Sequence, residues 1–326
     1  MISVVVPIFN EEELISLFHV AVASAMNSVG EDWEVVYVND GSRDSSLELL
    51  RDIQSEDPHV VVVDLSRNWG HMGAISAGLQ TARGDAIVLM DGDFQDPPEV
   101  VPQLVEAWRA GAQVVVAVRR TRKERRKVLA KLFSLFYRVL GALSDFPIPL
   151  NAGIFGLMDR QAVVSVNSMR ERNRYLPGLR SWVGYRNAVV YYDRQDRAAG
   201  NGKLSFISRI KYAMDAITSF SYKPLRLCFA LSLLSSCVAV VLAFSAIFSR
   251  NRVDTVGLSV TASVFLVGCL LLLCLGVLGE YLGRVYDEVR SRPLSIINKV
   301  YYSSEISSQI SNQNEEESTD KIFRVA

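Results

Sequence analysis

Asp91, Asp93 and Gln95 are each separated by one residue in the run Asp91-Gly92-Asp93-Phe94-Gln95. Oxygen ligands at that spacing can meet one hard cation, Mg²⁺ or Mn²⁺. Such a cation can bridge a diphosphate and neutralise the charge that grows on it as a bond breaks. Aspartate also favours caps and turns, so the pair alone does not decide the matter. Its setting adds weight. The apolar run Ala86 to Met90 before it reads as a buried parallel strand. Asp96-Pro97-Pro98-Glu99 after it suits the first turn of a helix. The two carboxylates and the amide therefore sit at the C-terminal end of a strand, where open α/β sheets place ligands.

The flanking chain supplies that sheet. Ser3 to Ile8, Trp33 to Val38, His59 to Leu65, Ala86 to Met90 and Gln113 to Val118 read as strands. Helices are expected after Glu11-Glu12-Glu13, from Asp44 to about Gln54, over Ala74–Ala82 and over Glu99–Ala110. Strands alternating with helices at this spacing mean βαβ units and a mostly parallel, Rossmann-like α/β sheet. The first, second and fourth strands deliver polar loops to one edge: Asn10-Glu11-Glu12, Asn39-Asp40-Gly41-Ser42 and Asp91 to Gln95. A dinucleotide site would need Gly-x-Gly-x-x-Gly after the first strand, and Pro7-Ile8-Phe9-Asn10 stands there instead. Formal charge is balanced, so no global field favours nucleic acid, and none is expected as a partner.

Pro7-x-x-Asn10-Glu11-Glu12, then Asn39-Asp40-Gly41-Ser42, then Ser66-Arg67-Asn68-x-Gly70, then Asp91-x-Asp93-x-Gln95-Asp96-Pro97-Pro98-Glu99 resembles the family-2 inverting glycosyltransferases of the GT-A fold. The resemblance is to polyprenyl-phosphate glycosyltransferases, the undecaprenyl-phosphate glucosyltransferases and dolichol-phosphate mannose synthases among them. It covers roughly residues 1 to 300. It implies that Pro7 and Glu12 line the base and ribose pocket, that Asp40 accepts hydrogen bonds from the base, and that Asp91, Asp93 and Gln95 bind Mg²⁺ or Mn²⁺ and the diphosphate. In residues alone, Asp40 is also a turn former and Glu12 a dipole-compensating acid.

A basic run follows the fifth strand, from Arg119-Arg120 to Lys131, with Val128, Leu132, Leu135, Phe136 and Val139 at helical spacing beside it. A basic amphipathic helix of this kind suits an anionic membrane surface. Arg119 and Arg120, at the strand end, and Arg138 are the candidates for the lipid phosphate, since arginine matches phosphate geometry. The resemblance assigns the donor diphosphate to Arg197 and Lys203, in a segment where Gly202 stands for the family's serine. The family's members often carry Asp and Arg where this chain has Ile154 and Gly156, so a candidate base is missing. A phosphate monoester has a second pKa near 6, is already largely anionic, and can attack without one.

Apolar residues concentrate late. Leu227 to Phe248 and Val256 to Leu278 each run for about 22 residues, enough to cross a bilayer. Cys228, Cys237, Cys269 and Cys274 all fall in this part and read as small apolar residues. Lys223, Arg226, Arg284, Arg290 and Arg292 flank the outer ends, against Arg250 and Arg252 between the spans, which favours a cytosolic catalytic domain. The N-terminus lacks a basic n-region before an apolar stretch, so no cleaved signal is expected.

The expected organisation is a GT-A domain over 1–203, an interfacial amphipathic helix over 204–224, a transmembrane hairpin over 225–280 and a C-terminal helix with a disordered tail over 281–326. The expected activity moves one hexosyl unit from a nucleotide diphosphate sugar, UDP-glucose by resemblance, to polyprenyl phosphate at the cytosolic face of the bacterial inner membrane. Asp91, Asp93, Arg197 and Lys203 would carry the chemistry. Relatives by resemblance assemble through such hairpins, and a homotetramer is the expectation. A processive polysaccharide synthase would want a Gln-x-x-Arg-Trp motif and more spans. A non-catalytic scaffold that binds nucleotide sugar is the other alternative.

Overall fold

The computed structural model describes residues 1–120, 152–169, 171–172, 174–193, 228, 231–238, 240–241, 244 and 252–303. The basic amphipathic segment expected after Arg119-Arg120 and the interfacial helix expected over 204–224 lie outside them. The chain divides into two compact units. The first takes in 1–134, 146–203 and 293–326, the second 135–145 and 204–292.

In the first unit the chain runs β1 (Ile2–Ile8), α1 (Ile15–Asn27), β2 (Trp33–Asn39), α2 (Ser46–Glu56), β3 (Val60–Leu65), α3 (His71–Thr81), β4 (Ala86–Leu89), α4 (Val101–Arg109) and β5 (Val114–Arg119). After the undescribed stretch come β6 (Ala152–Asp159), α5 (Arg160–Ser168), α6 (Leu176–Trp182) and β7 (Asn187–Tyr192). The eight-stranded sheet has the order β7-β5-β6-β4-β1-β2-β3-β8, where β8 is Ile297–Tyr301. β4, β1, β2 and β3 pair in parallel, as do β5 and β7. β6 runs against both β4 and β5, and β8 against β3.

Burial on both faces explains the Val-rich strands. Every residue of β2, β3 and β4 is buried, as are all but Pro7 in β1. One face packs Val4, Val6, Val35 and Val88 with Phe18, Val22 and Met26 of α1 and Leu104 of α4. On the other face α3 lies so close that a Cβ at Gly78 would come 2.3 Å from Val5 Cγ1. Glycine is what permits that approach. Glu34, 1% exposed, is one of the few charges in this core. It is held by Ser3 Oγ at 2.6 Å and by Arg83 Nε and Nη2 at 2.9 and 2.7 Å, the pairing that a buried carboxylate requires.

The five strands expected early in the chain are present, with no end shifted by more than one residue. The helix expected at Ala74 begins earlier, at His71. The segment 281–326, expected as helix and tail, contributes β8 to the sheet. Asn298 Nδ2 donates to Asp64 Oδ2 at 2.9 Å, and Asn39 Nδ2 to the other oxygen at 2.8 Å. Residues 304–326, expected as a disordered tail, lie outside the described chain. The second unit holds α7 (Arg252–Val289), a helix of 38 residues. Its stretch Val260–Val289 is long and apolar enough to cross a membrane, with Val264, Phe265, Leu271, Leu272 and Leu275 exposed around it. Residues 231–238 of the earlier apolar run are helical.

At the N-terminal end of β3, His19 Nε2 lies 3.2 Å from Asp57 Oδ2, and His59 Nδ1 lies 2.7 Å from Asp57 Oδ1. Burial lowers the pKa of His19, and Asp57 only partly opposes it. Burial alone would raise Asp57, but the His59 amide and ring, with His19, bring it below its usual value. Both depressions have one sign. As pH falls, the unfolded chain takes up protons that the folded chain resists, so stability is lost. The His19 share is intact above about pH 6.5 and is lost below it. The unfolding temperature of the full chain in detergent should therefore fall between pH 7.5 and 5.5. His19→Gln should flatten that slope; equal slopes would contradict the assignment.

Candidate active site

The C-terminal ends of β1, β2, β3 and β4 enclose a cavity of about 250 Å³. Its floor is stitched between loops. After β1, Asn10 takes φ +53°, a left-handed turn that asparagine tolerates. Its N–H donates to Ser42 Oγ at 3.1 Å, and its Oδ1 accepts from the Arg43 amide at 2.9 Å. Gly41 has φ +65°, and a Cβ there would strike the Arg67 carbonyl carbon at 2.5 Å. The loop after β3 can therefore lie directly on the loop after β2.

Asp40 is the latch between them. It is 3% exposed, and its two oxygens accept from the backbone N–H of Trp69 at 2.6 Å and of Gly70 at 3.0 Å. Burial pushes its pKa above the ordinary value; the two amides, His71 and Arg67 pull the other way without overcoming it. The Arg67 guanidinium covers the Trp69 ring at 3.8 Å.

The acid loop forms the opposite wall. Gly92 fits over β1 because a Cβ would come 2.8 Å from Ile8 Cδ1. Phe94, at φ +60°, turns inward to meet Phe18 edge-on at 5.2 Å. That turn leaves Asp91 and Asp93 on the cavity wall. Asp93 Oδ1 accepts from the Gln95 amide at 3.1 Å. Asp91 Oδ1 lies 3.3 Å from His71 Nε2, at the first turn of α3.

Pro7, Asp40, Asp91 and Asp93, all expected in the site, thus line one cavity. Gln95 is half-buried and outside the wall. Glu12 is placed elsewhere: its Oε2 accepts from the Ser45 amide at 2.9 Å, at the start of α2, and Glu11 takes the position in the wall. Arg119 is anchored through Nε to the Tyr192 hydroxyl at 3.2 Å. Arg120 is exposed, with Nη1 3.8 Å from Asp193. Arg138, Arg197 and Lys203 lie outside the described residues. The cavity also uses Asn68, Gly70 and His71, which sequence reasoning missed. The signal was available, because Ser66 to His71 leaves the same edge after the third strand.

Among the described residues no group of three or more His, Cys, Asp or Glu side chains could hold a metal by itself. Two carboxylates on one wall are still a hard, anionic donor set of the kind Mg²⁺ and Mn²⁺ take. Those ions keep several coordination positions for water and substrate phosphate. The residues present fit such an ion when a diphosphate completes its shell.

Close packing accounts for the glycine at 156, though not for Ile154. A Cβ at Gly156 would lie 2.9 Å from Arg180 Nη1. The Arg180 guanidinium, 1% exposed, fills that space and donates to the carbonyls of Ile154 at 2.9 Å and Gly153 at 2.6 Å. Burial lowers its pKa to about 10, so it stays a cation.

A mostly parallel α/β sheet whose C-terminal edge gathers polar loops around one cavity has the architecture of the GT-A fold. The chain belongs to glycosyl transferase family 2, whose model matches residues 3–165, and the model of the GtrB C-terminal hairpin matches residues 223–285. It is 40% identical over 302 residues to the uncharacterized glycosyltransferase YkcC of Bacillus subtilis, covering 92% of this chain and 94% of that one. It is 38% identical to the prophage bactoprenol glucosyl transferase homolog of Escherichia coli, covering 92% and 99% of the two chains. Identity to the bactoprenol glucosyl transferase of Shigella phage SfII is 37%, with 91% and 97% covered.

Asp40→Ala should strand the Trp69 and Gly70 amides and cost about 1–3 kcal/mol of stability. Chemical denaturation measures that cost, and proteolysis should cut faster within 66–70. Wild-type stability and cleavage would show that the latch does not hold the floor.

Proposed function

We propose that this enzyme transfers one glucosyl unit from UDP-glucose to a polyprenyl phosphate, with inversion, at the cytosolic face of the membrane. One observation carries the reading: Asp40, His71, Asp91 and Asp93 face one cavity on the sheet edge. The names of the Escherichia coli and phage relatives, bactoprenol glucosyl transferases matched over nine-tenths of the chain, supply the sugar and the acceptor class. They favour neither a processive synthase nor a scaffold.

In the reaction an acceptor phosphate oxygen forms a bond to the anomeric carbon while that carbon's bond to the diphosphate oxygen breaks. The electron pair leaves with UDP. A divalent cation, when bound, supplies charge neutralisation on that leaving group, and Asp91 and Asp93 would hold it. His71 stands 3.3 Å from Asp91 Oδ1 within the same cavity. Asp40 fixes the loop against which the nucleoside lies. Arg197 and Lys203 would clamp the diphosphate, as the family resemblance implies. The acceptor monoester has already lost its proton at neutral pH, so Ile154 in place of an acid removes nothing the step needs.

The sheet also supports the orientation. The chain leaves the first unit after 203 and returns to it as β8. A segment that starts and ends in one domain crosses a bilayer an even number of times. That fits a two-span hairpin and a catalytic unit on one side, and the flanking Lys223, Arg226, Arg284, Arg290 and Arg292 favour the cytosolic side.

Purified protein with UDP-glucose, undecaprenyl phosphate and Mg²⁺ or Mn²⁺ should yield glucosylated lipid, and chelation should abolish it. Asp93→Ala should lower kcat by about 10²–10³-fold, the scale of losing one electrostatic stabiliser, with unchanged thermal unfolding. Absence of lipid-linked product with every common UDP and GDP sugar would overturn the reading.

A further inference from the structure

Behind the acid loop lies a second set of polar groups that the reaction as described does not use. Asp96 follows the acid pair in the same loop and is 2% exposed. Tyr192 ends β7 and is 3% exposed. Arg119 ends β5 and is paired with Tyr192 in the parallel register of the two strands. The Tyr192 hydroxyl lies 2.6 Å from Asp96 Oδ1 and 3.2 Å from Arg119 Nε. The direction of both bonds is forced, since a guanidinium only donates and a carboxylate only accepts. Tyr192 therefore gives its one proton to Asp96 and takes one from Arg119. Burial, then Asp96, pushes the phenol's pKa up, so it stays a donor. Phe155 packs edge-on against the ring at 5.2 Å and fixes its plane.

The phenol does something a direct ion pair would not. It ties the arginine to a buried acid through Nε alone. Only Nε is used; among the described residues Nη1 and Nη2 have no hydrogen-bond partner. Nη2 passes close to Gly153, where a Cβ would stand 3.3 Å away. A guanidinium fixed through Nε keeps its terminal N–H groups for a tetrahedral anion.

We propose that Tyr192 is a positioning residue that links Asp96 of the acid loop to Arg119 and presents the Arg119 guanidinium to the phosphate monoester of the acceptor. The proposal rests on the reading that the acceptor is a lipid phosphate. It joins the donor side, at Asp91 and Asp93, to the acceptor side through one buried hydroxyl.

The test uses the full chain in detergent, with geranyl phosphate and geraniol as binding probes and UDP-glucose as a control. Tyr192→Phe removes only the hydroxyl and keeps the ring against Phe155. It should weaken geranyl phosphate about tenfold, the cost of one lost buried hydrogen bond, and leave geraniol and UDP-glucose within about twofold. Asp96→Asn, which keeps an acceptor oxygen, should fall between wild type and Tyr192→Phe. Arg119→Gln should erase the preference for geranyl phosphate over geraniol. If Arg119→Gln keeps that preference, the acceptor reading of Arg119 fails. If Arg119→Gln loses it while Tyr192→Phe binds geranyl phosphate like wild type, the linkage alone fails. Equal weakening of UDP-glucose and geranyl phosphate in Tyr192→Phe would mark a structural role only and would also overturn the proposal.

Discussion

A buried carboxylate that accepts two backbone amides holds the candidate site together. Moving Asp40 out of water is costly, and the raised pKa is the sign of that cost. The Trp69 and Gly70 amides offset it, and in doing so they bind the loop after β3 to the end of β2. α3 begins at the next residue, so the latch also sets where His71 stands, and His71 stands against Asp91. A single acid thus fixes one wall of the cavity and, through the helix it anchors, a neighbour of the acid pair on the other.

The parallel core was legible because its strands are buried on both faces and so must be continuous β-branched runs. Val60 to Val63 or Val35 to Val36 could hardly be anything else. The acid pair was legible because strand, loop and proline-marked helix start follow one another within a few residues. Three strands were missed: β6, whose apolar run is broken by Gly153 and Gly156, and β7 and β8 at the sheet's two edges. β8 pairs with β3 across more than two hundred residues, and its Asn298 meets Asp64 at a separation of 234. β7 is an edge strand whose Ala188-Val189-Val190-Tyr191-Tyr192 run carried a β signal that went unread. Glu11 lines the cavity beside a left-handed Asn10 while Glu12 meets the Ser45 amide, and no spacing rule reports a dihedral angle.

The glycine at 156 is best understood through what fills the space beside β6. Gly156 is needed because Val115 O and Arg180 Nη1 would lie 2.4 and 2.9 Å from any Cβ there. The Arg180 guanidinium, tied to two backbone carbonyls, occupies the volume so left. A cation enclosed in this way raises the local potential without offering a proton acceptor. Chemistry that needed a base beside β6 would be poorly served by it. Attack by a nucleophile that arrives already ionised would not, and an anionic acceptor is what a positive surround favours. The same logic distinguishes a phosphate acceptor from a sugar hydroxyl: the first needs cations to collect it, the second an acid to deprotonate it. Arg119 and Arg180 approach Gly153 from two elements, one of them wholly buried, and among the described residues Asp96 meets Arg119 through the Tyr192 phenol. The arrangement of charge on this side of the sheet therefore suits an anionic group better than a neutral hydroxyl.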